Sequence, residues 1–431
     1  MSSLIEKYFL LESNRTTIRR EVVAGITTFL AMAYITVVNP AILSDAGMDF
    51  GAVFVATCLA AATGSLIMGL YANYPIAQAP GMGQNAFFAY GIVLGMGHSW
   101  EVALGAVFIS GLLFILLSVL PIREWLINSI PNSLKLSMSA GIGLFLAIIA
   151  LTGNGVVVEN SATVISFGDL TSSSSLLLML GFVIIAALSA RKVMGAVVIG
   201  MLLITVIAWV TGVAEFKGFI STPPSPGALF ELDIAAALEL SMVTVILTLL
   251  LIDVFDTAGT LVGVATRANM LDQNGHLPRL KKALLADSTA TTAGALFGTS
   301  STTSFIESAA GVEAGGRTGL SAVVVAVLFL LCLFISPLAQ SIPSAATGAA
   351  LLFVACSMAR SFGDLDWDDI TESVPAIIGA ISMPLSYSIA DGIGVGFISY
   401  AAIKTLSGRY KECPLAVFLI AGVFALKFAF L

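Results

Sequence analysis

Residues 317–341 contain SAVVVAVLFLLCLFISPLA, a stretch with no charged side chain, and runs of 18 or more predominantly apolar residues recur from one end of the chain to the other. Each is long enough to cross a hydrocarbon core about 30 Å thick. Lipid offers no hydrogen bonds to the backbone, so only helices and closed barrels satisfy every N–H and C=O there. A barrel would show short segments of alternating polarity, which this chain lacks. The pattern therefore predicts an all-α polytopic membrane protein. The composition agrees, since 58% of the 431 residues are hydrophobic and only 10% are charged.

Fourteen segments can be drawn. The first seven cover 21–44, 50–71, 76–95, 101–122, 132–152, 174–190 and 192–212. The second seven cover 238–264, 280–298, 304–315, 317–341, 344–361, 372–387 and 389–406. Of the 19 Lys and Arg residues, all but Lys217 and Lys427 then fall on the side of the N-terminus. Arg20, Arg123, Lys135, Arg191, Arg267 and Lys404 mark successive loops on that side. The positive-inside rule makes it the cytoplasm, so the expected location is a cytoplasmic (inner) membrane. The opening residues 1–25 lack an apolar stretch ending in small residues and read as a cytoplasmic lead-in rather than a cleaved signal. A last apolar stretch, 413–431, is expected to span or to lie along the interface, with Lys427 snorkelling outward.

The scattered Cys58, Cys332, Cys356 and Cys413 form no CxxC pair, so they read as small buried hydrophobes rather than disulfides or metal ligands. His98 and His276 fall in loops. The sequence suggests no metal and no cofactor. The net charge of −7 comes with no basic patch suited to nucleic acid.

The two halves echo one another. SIPNSLKLSMSAGIGLFLAI (129–148) is answered by SIPSAATGAALLFVAC (341–356). Seven segments per copy is an odd number, so the copies lie in opposite orientations, as in the inverted repeats of secondary transporters. Substrate sites in that plan form where interrupted helices of the two repeats meet. The third segment, YPIAQAPGMGQNAFFAYG, and the tenth, FGTSSTTSFIESAAGVEAGG, are the interrupted pair. In each, a polar, glycine-rich stretch leads through a few extended residues into a short helix. Irregular backbone at that depth is tolerated only inside protein or beside water.

Intramembrane carboxylates usually mark ion or substrate pathways. Glu307 and Asn85 lie at the two interruptions and are expected to approach each other across the pseudo-two-fold axis. In LLLIDVFDTAGT, the residues Asp253, Asp256 and Thr260 share a helix face by spacing, and LLADSTATT carries Asp287. Glu313 lies nearer the basic residues and reads as structural. Ser304 and Phe305 belong to the extended TTSF stretch. Phe87, Phe88, Tyr90 and Phe305 are packing candidates, one of which could stack on a flat ligand.

The stretches AGITTFLAMAYITVVNPAIL, APGMGQNAFFAYG, IDVFDTAGT and ADSTATTAGALFGTSSTTSFIESAAG resemble the AzgA-like purine permeases of the nucleobase–cation symporter superfamily, over nearly the whole chain. The resemblance implies the uracil-permease fold, with short strands in segments three and ten. It implies a core domain from 1–122 and 238–341, and a gate domain from 123–237 and 342–431. It also implies import of a purine nucleobase (adenine, guanine or hypoxanthine) by proton symport. Carried over by motif, Asn85, Asp256, Thr260, Ser304, Phe305 and Glu307 bind substrate, and Asp256 and Asp287 are the candidates for proton coupling. Thr260 occupies a position that is His or Asp in other branches, so the proton must move to another residue. Membrane lipid is a further partner, and a homodimer is an allowed assembly.

The chemistry of a purine suits these side chains. A carboxylate accepts two edge donors, and an amide both donates and accepts. The alternative is a carrier of the same fold for uracil, xanthine or a small anion, but an acid at position 307 would repel an anion. A membrane-embedded enzyme would need a nucleophile or metal motif such as GxSxG or HExxH, and neither occurs. A channel would leave the paired interruptions unexplained.

Overall fold

A computed structural model describes residues 2–120, 129–268, 270–272 and 277–430; Arg123 and His276 lie outside them. Nine helices among the described residues are apolar and at least 18 residues long, from Ile18–Asp45 to Ile389–Leu406. Three more, Ala196–Val210, Ile370–Ser386 and Leu415–Phe430, are apolar but shorter. Together they fall on the expected segments other than the third, ninth and tenth. The ninth is a helix, Leu280–Phe297, but a polar one that buries Asp287, Ser288 and Thr291. Such a face is stable only because neighbouring helices enclose it and supply hydrogen-bond partners. The helix stops at Gly298, whose φ of 95° is the left-handed conformation that glycine adopts without a Cβ penalty.

The third and tenth segments are interrupted as expected. In the third, strand Gln78–Pro80 leads into helix Met82–Ala86 and then a π-helical run, Phe87–Gly95. In the tenth, strand Thr302–Ser304 leads into helix Ser308–Glu313. The strands pair antiparallel, with Ala79 opposite Thr303 at the centre. Two flanking bonds repeat with the same spacing about that centre: Gly81 N to Ser301 O at 2.9 Å, and Phe305 N to Ala77 O at 3.0 Å. That equivalence is the local two-fold symmetry of an antiparallel pair. It also satisfies backbone groups that a broken helix leaves open.

Close backbone approach holds the strands in place. A Cβ on Gly64 would lie 2.8 Å from Gln78 Oε1 and 2.9 Å from Ala290 Cβ, so only glycine lets helix Phe50–Ile67 seat against the strand. Helix Leu280–Phe297 packs on Trp100–Val119 and Phe50–Ile67, while Gly319–Cys332 packs on Ile18–Met32 and Phe50–Ile67. A second group joins Asn132–Gly153 to Ser344–Ala359 and Ile370–Ser386, and the last of these to Ile389–Leu406. Small residues line its contacts, as is common between membrane helices; a Cβ on Gly379 would lie 3.0 Å from Gly396 Cα.

Three details depart from the sequence reading. A hairpin, Val157–Asn160 with Val164–Phe167, follows the fifth segment, and nothing in the hydropathy pattern marks it. Lys427 does not snorkel outward: its Nζ lies 2.7 Å from Asp391 Oδ1, because helix Leu415–Phe430 packs along Ile389–Leu406 and brings the two ends together. Cys356 is exposed on an apolar helix, whereas Cys58, Cys332 and Cys413 are buried.

Candidate functional site

The site is built on the strand pair and on helix Val243–Arg267, which passes beside it. The polar residues of that helix differ in their surroundings. Asp253 and Thr257 turn toward helix Leu280–Phe297, one helical turn apart. Asp253 Oδ2 accepts from Thr291 Oγ1 at 2.9 Å. Thr257 Oγ1 donates to Asp287 Oδ2 at 2.6 Å. Asp256, beside Thr303, is solvent-accessible.

Asp287 is a fully buried junction. Besides Thr257, its Oδ1 accepts from Gln78 Nε2 and from Ser304 Oγ, both at 2.8 Å. Four elements therefore meet on one carboxylate: both strands, the helix that carries Thr257 and the helix that carries Asp287. Ser304, expected to touch substrate, spends its hydroxyl on this junction.

Glu307 precedes helix Ser308–Glu313 and is half-buried. Its Oε1 accepts from Tyr34 Oη at 2.7 Å. Tyr34 sits where the first segment breaks between helices Ile18–Met32 and Ile35–Asp45, and is 2% exposed. Gln84 and Thr303 adjoin the Asp256 carboxylate, and Asp256 and Glu307 lie within electrostatic range of each other. Gln84 is buried, and neither its amide nitrogen nor its oxygen reaches a geometrically sound hydrogen bond. Buried polar atoms without such partners are rare and usually await water or a ligand.

Asn85 is fully buried, and its Oδ1 accepts from Ser300 Oγ, just before the tenth-segment strand. Gln84, one residue earlier, is the amide beside Asp256. Thr260 and Phe305 are buried next to this region, 7% and 5% exposed. The sequence reading passed over Tyr34, Gln78, Gln84, Thr257 and Thr303. The available signals were a tyrosine inside the apolar AMAYITV and an amide adjoining the one that was chosen.

Gly259, Val262 and Thr266 are exposed along helix Val243–Arg267, as are Ile306 and Glu313 in the tenth segment. Gly259 has open space where a Cβ would stand. Arg267 Nη1 lies 3.4 Å from Glu313 Oε1. Two acceptor groups beside a polar strand pair can grip a small molecule that presents N–H donors.

Comparison with known proteins fits this geometry. The profile of the Permease family matches residues 19–395. The chain is 50% identical to "Putative permease MJ0326" of Methanocaldococcus jannaschii, over 99% of this chain and 98% of that one. It is 46% identical to "Adenine permease AdeP" of Escherichia coli, over 99% and 96%. Identity to "Guanine/hypoxanthine permease PbuO" of Bacillus subtilis is 44%, over 97% and 99%. Among solved structures, the transmembrane domain of the cyanobacterial bicarbonate transporter BicA superposes with a TM-score of 0.64 at 15% identity, over 86% of this chain and 96% of that one. SLC26A9 gives 0.66 at 11%, over 90% and 66%. At such identities the last two show a shared fold and nothing about the cargo.

Proposed function

The chain belongs to the Permease family, and from that premise we propose that it imports a purine nucleobase across the cytoplasmic membrane by proton symport. It is a membrane transporter and not an enzyme. The observation that carries the substrate reading is the pairing of Asp256 and Glu307 about the strand pair, with Gln84 beside Asp256. A neutral planar base with edge N–H groups and ring-nitrogen acceptors complements two carboxylates and one amide. The relatives named as adenine and guanine/hypoxanthine permeases support the same class.

Asp256 is the proposed proton carrier, because it is solvent-accessible and has no triple hydrogen-bond commitment of the kind that ties up Asp287. Glu307 is the proposed base-gripping residue. Residues 1–122 and 238–341 form the proposed core, and 123–237 and 342–431 the gate that moves against it. The N-terminus and the Arg267–Glu313 ion pair are assigned to the cytoplasm. The alternative from the sequence is a carrier of the same fold for a small anion. Two carboxylates at the site disfavour it, since anion sites use cations or bare helix N-termini.

Uptake of radiolabelled adenine, hypoxanthine, guanine, xanthine and uracil in transport-deficient cells, with and without a protonophore, tests the proposal. Concentrative, protonophore-sensitive uptake of a purine is expected. Saturable uptake of uracil or of an anion with no purine competition would refute it.

A further inference from the structure

Two threonine hydroxyls join the accessible Asp256 to the buried Asp287. Thr257 Oγ1 donates to Asp287 Oδ2 at 2.6 Å and lies 2.9 Å from Thr303 Oγ1. Thr303 stands at the centre of the strand pair, opposite Ala79, and its hydroxyl hydrogen-bonds with the Asp256 carboxylate. Both threonines are buried. The other titratable groups in electrostatic range of these acids are Asp253 and Glu307. The chain Asp256–Thr303–Thr257–Asp287 has three links, and each needs a hydrogen. A hydroxyl carries one hydrogen, so the two threonines supply two. With both acids ionised, those two hydrogens would point outward to the carboxylates and leave two bare oxygens facing each other at 2.9 Å. The third hydrogen therefore belongs to one of the acids. When Asp287 is ionised, Thr257 donates to it, Thr303 donates to Thr257, and a protonated Asp256 donates to Thr303. When Asp287 carries the proton, every link runs the other way.

We propose that Thr257 and Thr303 form a proton relay: the accessible Asp256 and the buried Asp287 hold one proton between them and exchange it through these two hydroxyls. In the transfer, Asp256 gives its proton to Thr303 Oγ1, Thr303 gives its own to Thr257 Oγ1, and Thr257 gives its own to Asp287 Oδ2. Three O–H bonds break and three form, both hydroxyls end neutral, and the negative charge moves from Asp287 to Asp256. Asp287 Oδ1 keeps Gln78 and Ser304 as donors throughout. Hydrogen bonds to an ionised acceptor are the stronger kind, so the strand pair is held less tightly once the proton arrives. The relay rests on the proton-symport reading and gives the coupling proton a second station, at the junction that anchors both strands.

The test compares wild type with Thr303→Val, Thr257→Val, Thr303→Ser and Thr257→Ser, each as full-length protein in proteoliposomes. Two quantities are read: purine accumulation under an imposed proton gradient, and exchange of labelled for unlabelled purine without one, which needs no net proton movement. Valine keeps the side-chain shape and removes the hydroxyl; Thr303→Val also leaves all three Asp287 donors in place. The valine variants are expected to lose accumulation relative to exchange, and the serine variants to regain it. Undiminished accumulation in a folded valine variant overturns the relay, as does loss of accumulation and exchange in equal proportion, the mark of a packing role. Failure of serine to restore accumulation overturns it too, since shape rather than the hydroxyl is then at issue. Infrared spectra of wild type and Asp256→Asn at neutral pH decide the matter even if no valine variant folds. A protonated-carboxyl band that shifts or vanishes in Asp256→Asn is expected; no such band, or one indifferent to that substitution, overturns the relay. These failures leave the symport reading intact, whereas wild-type purine uptake insensitive to a protonophore overturns both.

Discussion

Gln78 Nε2 donates to Asp287 Oδ1 at 2.8 Å, binding the third-segment strand to a helix 209 residues further along the chain. Asp287 accepts from Thr257 and Ser304 as well, so this carboxylate assembles the platform on which the site rests. Removing it strands three buried donors.

Asp287→Ala is therefore expected to cost about 3–5 kcal/mol, the penalty for leaving buried polar partners unpaired. Thermal unfolding of the detergent-solubilised protein should show a large fall in midpoint, with substrate binding lost alongside. Asp256→Asn, at an accessible position, should leave the midpoint nearly unchanged. If the two variants unfold alike, Asp287 does not have the scaffold role described here.

The two accessible carboxylates should separate functionally. Glu307→Gln is expected to weaken purine affinity, by on the order of tenfold or more for a charge-assisted hydrogen bond. Asp256→Asn should abolish accumulation under an imposed pH gradient while sparing binding or exchange. Calorimetry beside vesicle uptake distinguishes the outcomes. Accumulation by Asp256→Asn would mean the proton travels elsewhere, with Asp287 the next candidate.

Gly64→Val should damage the protein through packing alone. Its Cβ would meet Gln78 and Ala290 below 3.0 Å, and forced overpacking of a close contact typically costs about 1–3 kcal/mol. A lower yield of folded protein and a reduced thermal midpoint are expected. Unchanged stability would show that the helix and strand can separate without penalty.

Asp369 caps helix Ile370–Ser386. The Thr371 hydroxyl, with the Thr371 backbone N–H and Arg409 in support, holds its carboxyl down at about 2. A depressed carboxyl contributes stability that is complete above its unfolded value near 4 and is lost as pH falls toward 2. The thermal midpoint should thus gain nothing from this group between pH 5 and 8, and its contribution should fade only below about pH 4. Comparing Asp369→Asn with wild type across pH 3–8 isolates it. A difference between the two that shrinks already between pH 6 and 5 would contradict the assignment.

Much of the architecture was legible because the physics behind it is local. Apolar runs, loop charges and the odd number of segments per repeat required helices in two opposed copies. The glycine- and proline-rich stretches around 76–95 and 298–315 marked the breaks, since such backbone cannot face lipid. The acids stood out for the same reason. Asp256 and Glu307 were found as unusual charges in apolar surroundings, and both prove accessible within the fold.

Tertiary structure alone decided which of those polar groups remain free. Asp253, Asp256 and Asp287 look alike along the chain, yet Asp287 is consumed by Gln78, Ser304 and Thr257, while Asp256 stays solvent-accessible. Asn85 was carried over from the family motif; in the fold its side chain meets Ser300, while the neighbouring Gln84 lies beside Asp256. Tyr34 was invisible because its partner lies 273 residues away. Hydropathy determines where a chain crosses the membrane, since burial of apolar surface depends on composition alone. Hydrogen-bond partners depend on angles and distances between distant segments, and those exist only once the helices have packed.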